Sequence, residues 1–456
     1  MQLDLGFEEV PSREPPFFKP LLRLHDPTER SLSMNRTRPL TLPKRLMTLV
    51  LGLASAAALA GEVEVLHYWT SGGEAKSVAE LQALMARRGH TWKDFTVAGG
   101  GGGKAMDVLK TRVLAGQPPA AALIKGPTIQ EWAELKALTH LDTMASFEKW
   151  DELLPKVVAD VMKHKGHYVA VPVNVHRVNW LWANAEVLRK AGVVTAPTSF
   201  DAFFAAADKI KAAGYIALAH GGQDWQDFTL FESIALGVGG VDFYDRALVK
   251  LDRAALTGED MKRVLQTFRR MKTYVDQQSV GRDWNATTDL VIRGKAGFQF
   301  MGDWAKGEFL AAGQTPGKEF ICVSAPGTEQ AYTFNVDSFA MFQLKSWEAQ
   351  KAQGYLAYLL MGQEFQEKFN LRKGSIPVRL GLSMDKFDDC AKRSSQAFVR
   401  SAQSGTLMPS VAHGMAVAPA AQAALRAAIT EYWNNDKIAA QDTLTKLASA
   451  GAARAK

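Results

Sequence analysis

The chain has 456 residues, 47% of them hydrophobic and 22% charged, with a formal charge of +7. This composition excludes a wholly disordered protein and is long enough for two sizeable cores. The two signs of charge are mixed and no basic stripe is interleaved with aromatics, so nucleic acid is not an expected partner.

The N-terminal region reads as a targeting segment. Arg36, Arg38, Lys44 and Arg45 precede the apolar run LMTLVLGLASAAALA, residues 46–60. The run ends in Ala58-Leu59-Ala60, a small-residue cleavage pattern, so residues 34–60 are expected to be a signal peptide and the mature chain to begin near Gly61. The run is too short and too rich in alanine to hold as a spanning helix. No second one follows, so the expected product is exported and soluble. Met34 stands where such a signal would start, which makes residues 1–33 an expected mis-assigned extension.

Glu62-Val-Glu-Val-Leu66 alternates as a strand does. It runs into HYWTSGGE, where Tyr68 and Trp69 are adjacent aromatics that something should cover. Strand neighbours point to opposite faces, so one could be core and the other face a cleft; at a strand end before two glycines, both could reach it. Ser71-Gly-Gly-Glu74 fits a capping box, which gives Glu74 a structural explanation beside a ligand-facing one. Val78, Leu81 and Met85 continue as a helix that Gly89 closes. DFTVAGG is a second strand. The following GGGGGK, residues 99–104, has Ala98 and Ala105 where a phosphate loop needs Gly and Ser/Thr, so it reads as a permissive turn. A helix, the strand AALIKG and another helix follow. This order predicts a mainly parallel sheet with helices on both faces and ligands beyond the C-terminal strand ends, where Tyr68, Trp69 and Lys125 sit.

A second α/β unit begins after YVAVPVNVHRVNWLW, and no low-complexity linker separates it from the first. Two lobes joined this way suggest a chain that crosses between them several times. Trp304, in MGDWAKGE, is another aromatic at a strand end; Trp225 and Trp284 are weaker candidates for the same job. Asn335 and Asp337 share one face of an otherwise apolar strand, where unsatisfied polar groups would be costly. Lys373 and His413 carry no local signal. Cys322 and Cys390 can form a disulfide in an oxidising compartment, worth roughly 4 kcal/mol by chain entropy, or remain two buried thiols. No spacing supports a metal site and no cofactor motif is present. There is no G-x-S-x-G or H-E-x-x-H, and the carboxylate pair of a glycosidase cannot be placed from sequence, so no enzyme is expected.

The blocks HYWTSGGE, AGGGGGKAM, IKGPTIQEW, YVAVPVNVHRVNWLW, LAHGGQDWQD, GRDWN, GKAGFQFMGDWAK, KGSIPVR and AHGM run in order from about residue 62 to 415. They resemble the periplasmic solute-binding proteins of ABC sugar importers, of the maltose-binding-like class, and most of all their glucose/mannose-type members. The resemblance implies an α/β, two-lobed periplasmic binding protein fold with hinge crossovers near residues 171–175, 333–338 and 373–378. It implies an N-terminal lobe of residues 61–173 plus 336–374, a C-terminal lobe of residues 174–335 plus 375–456, and a ligand cleft between them. It implies sugar contacts from Tyr68, Trp69, Glu74, Lys125, Trp304, Asn335, Asp337, Lys373 and His413, with Tyr68 departing from the usual Trp-Trp pair. The expected activity is delivery of a monosaccharide, glucose first, to a membrane permease by a periplasmic monomer without cofactor. A disaccharide or polyol binder is the alternative, and a secreted glycosidase a more remote one.

Overall fold

The computed structural model describes residues 61–100 and 102–452. The expected extension and signal peptide, residues 1–60, lie outside these. Strands follow in chain order as β1 (Glu62–His67), β2 (Thr91–Thr96), β3 (Ala121–Leu123), the hairpin β4 (Lys163–His164) and β5 (His167–Tyr168), β6 (Ala170–Arg177), β7 (Trp180–Asn184), β8 (Ile216–Leu218), β9 (Ala296–Phe300), β10 (Phe320–Ser324), β11 (Tyr332–Met341) and β12 (Leu407–Pro409).

Apart from the two-stranded hairpin β4–β5, they build two sheets. The first has the order β12-β11-β3-β1-β2, with β6 also paired to β11; the second has the order β10-β7-β9-β8. β1 runs parallel to β2 and β3, as the strand–helix alternation predicts. β12 is likewise parallel to β11, but the expectation of a mainly parallel sheet fails at the other pairings. β11 is antiparallel to β3 and β6, and β7 is antiparallel to β9 and β10, leaving only β8–β9 parallel in the second sheet. The reason is connectivity. β7 follows β6 directly, and β11 follows β10, each pair passing from one sheet to the other. A strand arriving from the other lobe enters at the cleft end and so runs against strands whose C-termini point to the cleft.

Each sheet has its own core. Val63, Val65, Leu123, Val171, Val173 and Phe339 pack in the first, which extends past residue 374 through Ile376, Val378 and Phe387. Leu181, Phe203, Phe231, Leu265 and Phe298 pack in the second. A smaller aromatic cluster of Trp182, Trp225, Trp304, Phe309 and Phe320 adjoins it. Cys322 and Cys390 form a disulfide there, Cα atoms 6.2 Å apart, fastening β10 to the helix Asp389–Ser404. Both β6 and β11 are buried at every residue, because helices cover both faces of the sheet. Polar residues in them must therefore find partners inside the protein.

Candidate functional site

β1 ends at the cleft, and the next residues set its wall. Ser71 caps the helix Gly72–Ala86: its hydroxyl accepts from the Glu74 N–H, and the Glu74 carboxylate accepts from the N–H groups of Thr70 and Ser71 at 3.2 and 3.3 Å. The other Glu74 oxygen accepts from Lys373 Nζ at 2.7 Å. The capping and site readings of Glu74 thus coexist. Lys373 is delivered by the last turn of the helix Gln363–Lys373, which Gly374 closes at φ +90°; a side chain there would collide with the Asp303 carbonyl at 2.4 Å. Trp69 lies buried against Phe339 and Phe369, ring centroids 5.5 and 5.3 Å away, with Lys373 Nζ 5.6 Å above its ring.

The floor is made by β6 and β11. Their register sets Asn335 opposite His176 and Asp337 opposite Asn174. Asp337 accepts from Lys125 Nζ at 2.9 Å on one oxygen and pairs with His176 Nε2 at 2.9 Å on the other. The His176 Nδ1 binds Asp303, the residue before Trp304. Asn335 Nδ2 reaches Asp337 at 3.5 Å, while its buried Oδ1 has no protein partner. Such an orphaned acceptor in a lined cavity suits a ligand hydroxyl.

The opposite wall comes from the second lobe. Trp225, Thr229 and Glu232 lie on one face of the helix Asp224–Tyr244. Glu232 accepts from Ser410 Oγ, Tyr244 OH and the N–H groups of Val411 and Ala412, at 2.6 to 3.1 Å. This holds the loop that carries His413, whose Nε2 lies 3.1 Å from Thr229 Oγ1. Trp304 starts the helix Trp304–Ala311 and packs edge-on to His176 and His413, at 5.2 and 4.8 Å.

All nine residues singled out above line one cavity, together with Gly100, His176, Trp225 and Trp284. It encloses about 400 Å³ of non-atom space, open solvent included. The halves touch around it. Gly73 N–H donates to Glu308 Oε1 at 2.8 Å. A Cβ on Gly100 would stand 2.7 Å from the Trp225 ring, and one on Gly126 would stand 2.1 Å from the Gly414 carbonyl. Gly100 is thus more than part of a permissive turn, because it allows a close approach between lobes.

Charge in the site is internally balanced. Burial alone would raise Asp337, but Lys125 and His176 outweigh it and hold the carboxyl well below its ordinary range. Burial would likewise depress Lys125 and His176, yet Asp337 raises the first, and Asp303 and Asp337 raise the second. Burial pushes Tyr68 up to about 12 against the opposing pull of Lys125. Burial, then the charges of Lys125 and His176, take His413 well below the usual imidazole value, so it is neutral and can donate or accept. Glu74, Asp303 and Asp337 face Lys125, Lys373 and His176. An array paired in this way suits an uncharged ligand, because any ionic one would enter without a counter-charge.

The sequence reading overlooked His176 and Asp303. A signal for His176 existed: Asn174 and His176 alternate in an apolar strand as Asn335 and Asp337 do. Asp303 is visible only once His176 is placed beside it.

The bacterial extracellular solute-binding protein profile matches residues 72–360. A Brucella melitensis protein named "Probable sugar-binding periplasmic protein" is 43% identical over 415 residues, covering 89% of this chain and 98% of its own length. More distantly, the glucose-binding protein GlcS of Saccharolobus solfataricus is 23% identical over 61% of this chain and 54% of its own. Among solved structures, a chitin oligosaccharide binding protein superposes with a TM-score of 0.71 at 17% identity, over 87% of this chain and 99% of that one. The chain belongs to the bacterial extracellular solute-binding protein family and has its two-lobed, maltose-binding-type fold.

Proposed function

We propose that this chain is the periplasmic sugar-binding component of an ABC importer and that it binds a neutral monosaccharide, glucose first, for delivery to the membrane permease. It performs no chemistry on the sugar. The observation that carries this reading is the small cavity lined by four indoles and an internally balanced set of charges. A pyranose has apolar C–H faces that pack on aromatic rings and a hydroxyl rim that needs donors and acceptors. Trp69 and Trp304 offer the faces from opposite lobes. Glu74, Lys125, Asn335, Asp337, Lys373 and His413 offer the rim, and Tyr68 closes one end. Contacts from both lobes favour closure, because the sugar binds the closed state better than the open one. The names of the relatives support the sugar class, and the distant glucose binder supports the choice within it.

Isothermal titration of the mature chain with glucose, mannose, galactose, xylose and glucuronate tests the reading. Glucose or a close epimer binds and glucuronate does not; silence across the neutral sugars refutes it. Turnover of chromogenic glycosides would revive the glycosidase alternative.

One observation favours a second reading. A groove of about 520 Å³, partly lined by Met106, Leu123, Trp132 and Gln422, shares Tyr68, Lys125 and His413 with the cavity. A disaccharide can set its second ring there. Tighter binding of a disaccharide than of its own monosaccharide selects this alternative.

A further inference from the structure

We propose that His140, Asp142 and His167 form a binding site for a divalent transition-metal ion of the zinc and copper class, on the first lobe and distant from the cleft. One nitrogen from each imidazole and one Asp142 oxygen lie within 4.8 Å of one another. His140 and Asp142 flank Leu141, and His167 sits 25 residues on, in β5. The Leu141 N–H donates to the Tyr168 carbonyl at 2.8 Å, so backbone pairing holds the two segments in this register.

The carboxylate is aimed before any ion arrives. Asp142 Oδ1 accepts from the Tyr168 N–H at 2.9 Å. Oδ2 is left facing the imidazoles, 2.7 Å from His167 Nδ1 and 3.9 Å from His140 Nδ1. A backbone donor on the non-coordinating oxygen is the kind of outer contact that orients metal ligands. The rings stack at 4.5 Å with 13° between planes. In a tetrahedral site with bonds of about 2.0–2.1 Å, ligand atoms lie roughly 3.3 Å apart. The side chains of His140 and His167 are 59% and 52% exposed, so both rings can swing the short distance required. The same exposure gives an ion an entry path and leaves positions for water.

Two imidazoles with one carboxylate favour zinc, copper or nickel over calcium and magnesium, which take all-oxygen shells. β6 runs from this corner towards His176 in the cavity, and six residues of strand span about 20 Å. The ion therefore acts as a clip between the 140–142 segment and the β4–β5 hairpin, independent of the sugar.

The test is equilibrium titration of the untagged mature chain with zinc, copper and calcium. One zinc per chain is expected, with tighter copper and no calcium. His140→Ala and His167→Ala should each weaken zinc by at least the roughly 10–100-fold seen when outer partners are removed. Asp142→Asn can still accept from Tyr168, so it guards against a folding defect and should also weaken zinc. His164→Ala is the control: that ring is engaged by Gln130 and Glu134, and zinc affinity should not move. Sugar affinity should be unchanged in every variant. Absence of stoichiometric zinc, or wild-type zinc affinity in the His140→Ala/His167→Ala double variant, overturns the proposal.

Discussion

Gly100→Ala isolates the closing of the two lobes from their folding. Gly100 follows β2 in the first lobe, and Trp225 starts a helix of the second. The new methyl would sit 2.7 Å from the Trp225 ring, with three ring atoms within 2.8 Å. The indole is rigid and buried, and it donates from Nε1 to Gln223 at 2.9 Å, so it cannot swing away freely. Overpacking of this kind costs about 1–3 kcal/mol. That cost falls on the closed state alone, because opening separates the two residues. Sugar affinity should therefore drop by roughly 5- to 150-fold, while denaturant unfolding of the sugar-free protein stays within about 0.5 kcal/mol of wild type, as for a surface change. Calorimetric titration and urea unfolding, run side by side, read the two quantities. Unchanged affinity would show that this approach is not part of the bound state. An equal loss of sugar-free stability would show that the lobes stay closed without ligand.

Trp304→Ala should remove stacking worth about 0.5–1.5 kcal/mol beyond lost area; parallel titrations of Trp225→Ala and Trp284→Ala show which indole matters most, and equal affinity in Trp304→Ala would shift the role to one of them. Lys373→Met leaves the Glu74 carboxylate without its cation at a site where the lysine side chain is 3% exposed. The single change should destabilise by about 3–5 kcal/mol, and adding Glu74→Gln should recover most of it; additive losses in urea would disprove the pairing. Burial raises Glu232 to about 7, above its ordinary 4.5. The folded state therefore holds that proton more tightly than the unfolded one. The stability it contributes is complete below about pH 4.5 and is lost as pH rises towards 7, on the order of 3 kcal/mol. The difference between wild type and Glu232→Gln should follow that window, and a flat difference from pH 4.5 to 8 would contradict it. Reducing the bridge between Cys322 and Cys390, which are 68 residues apart, should cost about 4 kcal/mol; an unchanged melting midpoint for the double Cys→Ser variant would show that the chain-entropy argument fails here.

Local rules carried much of the first lobe. The Glu62–Leu66 alternation, the Ser71–Glu74 box and the period of two at Asn335 and Asp337 are all physical patterns confined to a few residues, and each appears in the structure as such. Lys373 and His413 have no such pattern. They entered only through resemblance, because what aims them is distant: a helix end packed on Glu74 in one case and a loop tethered to Glu232 in the other. Sheet direction was misjudged for a related reason. Strand–helix alternation describes neighbours in the chain, whereas the antiparallel runs of β7 and β11 arise where the chain changes lobes.

The paired strands β6 and β11 supply both the bottom of the cavity and the passage between lobes. On the function proposed above, recognition and bending are therefore not separable traits in this molecule. Any lineage that altered Asn335 or Asp337 to accept a different solute would at the same time reset how readily the jaws shut. The indole wall on the far side shares that burden, because Trp225 meets Gly100 across the lobes and Trp304 packs on His176 of the floor, so drift towards new cargoes is coupled to shutting there as well.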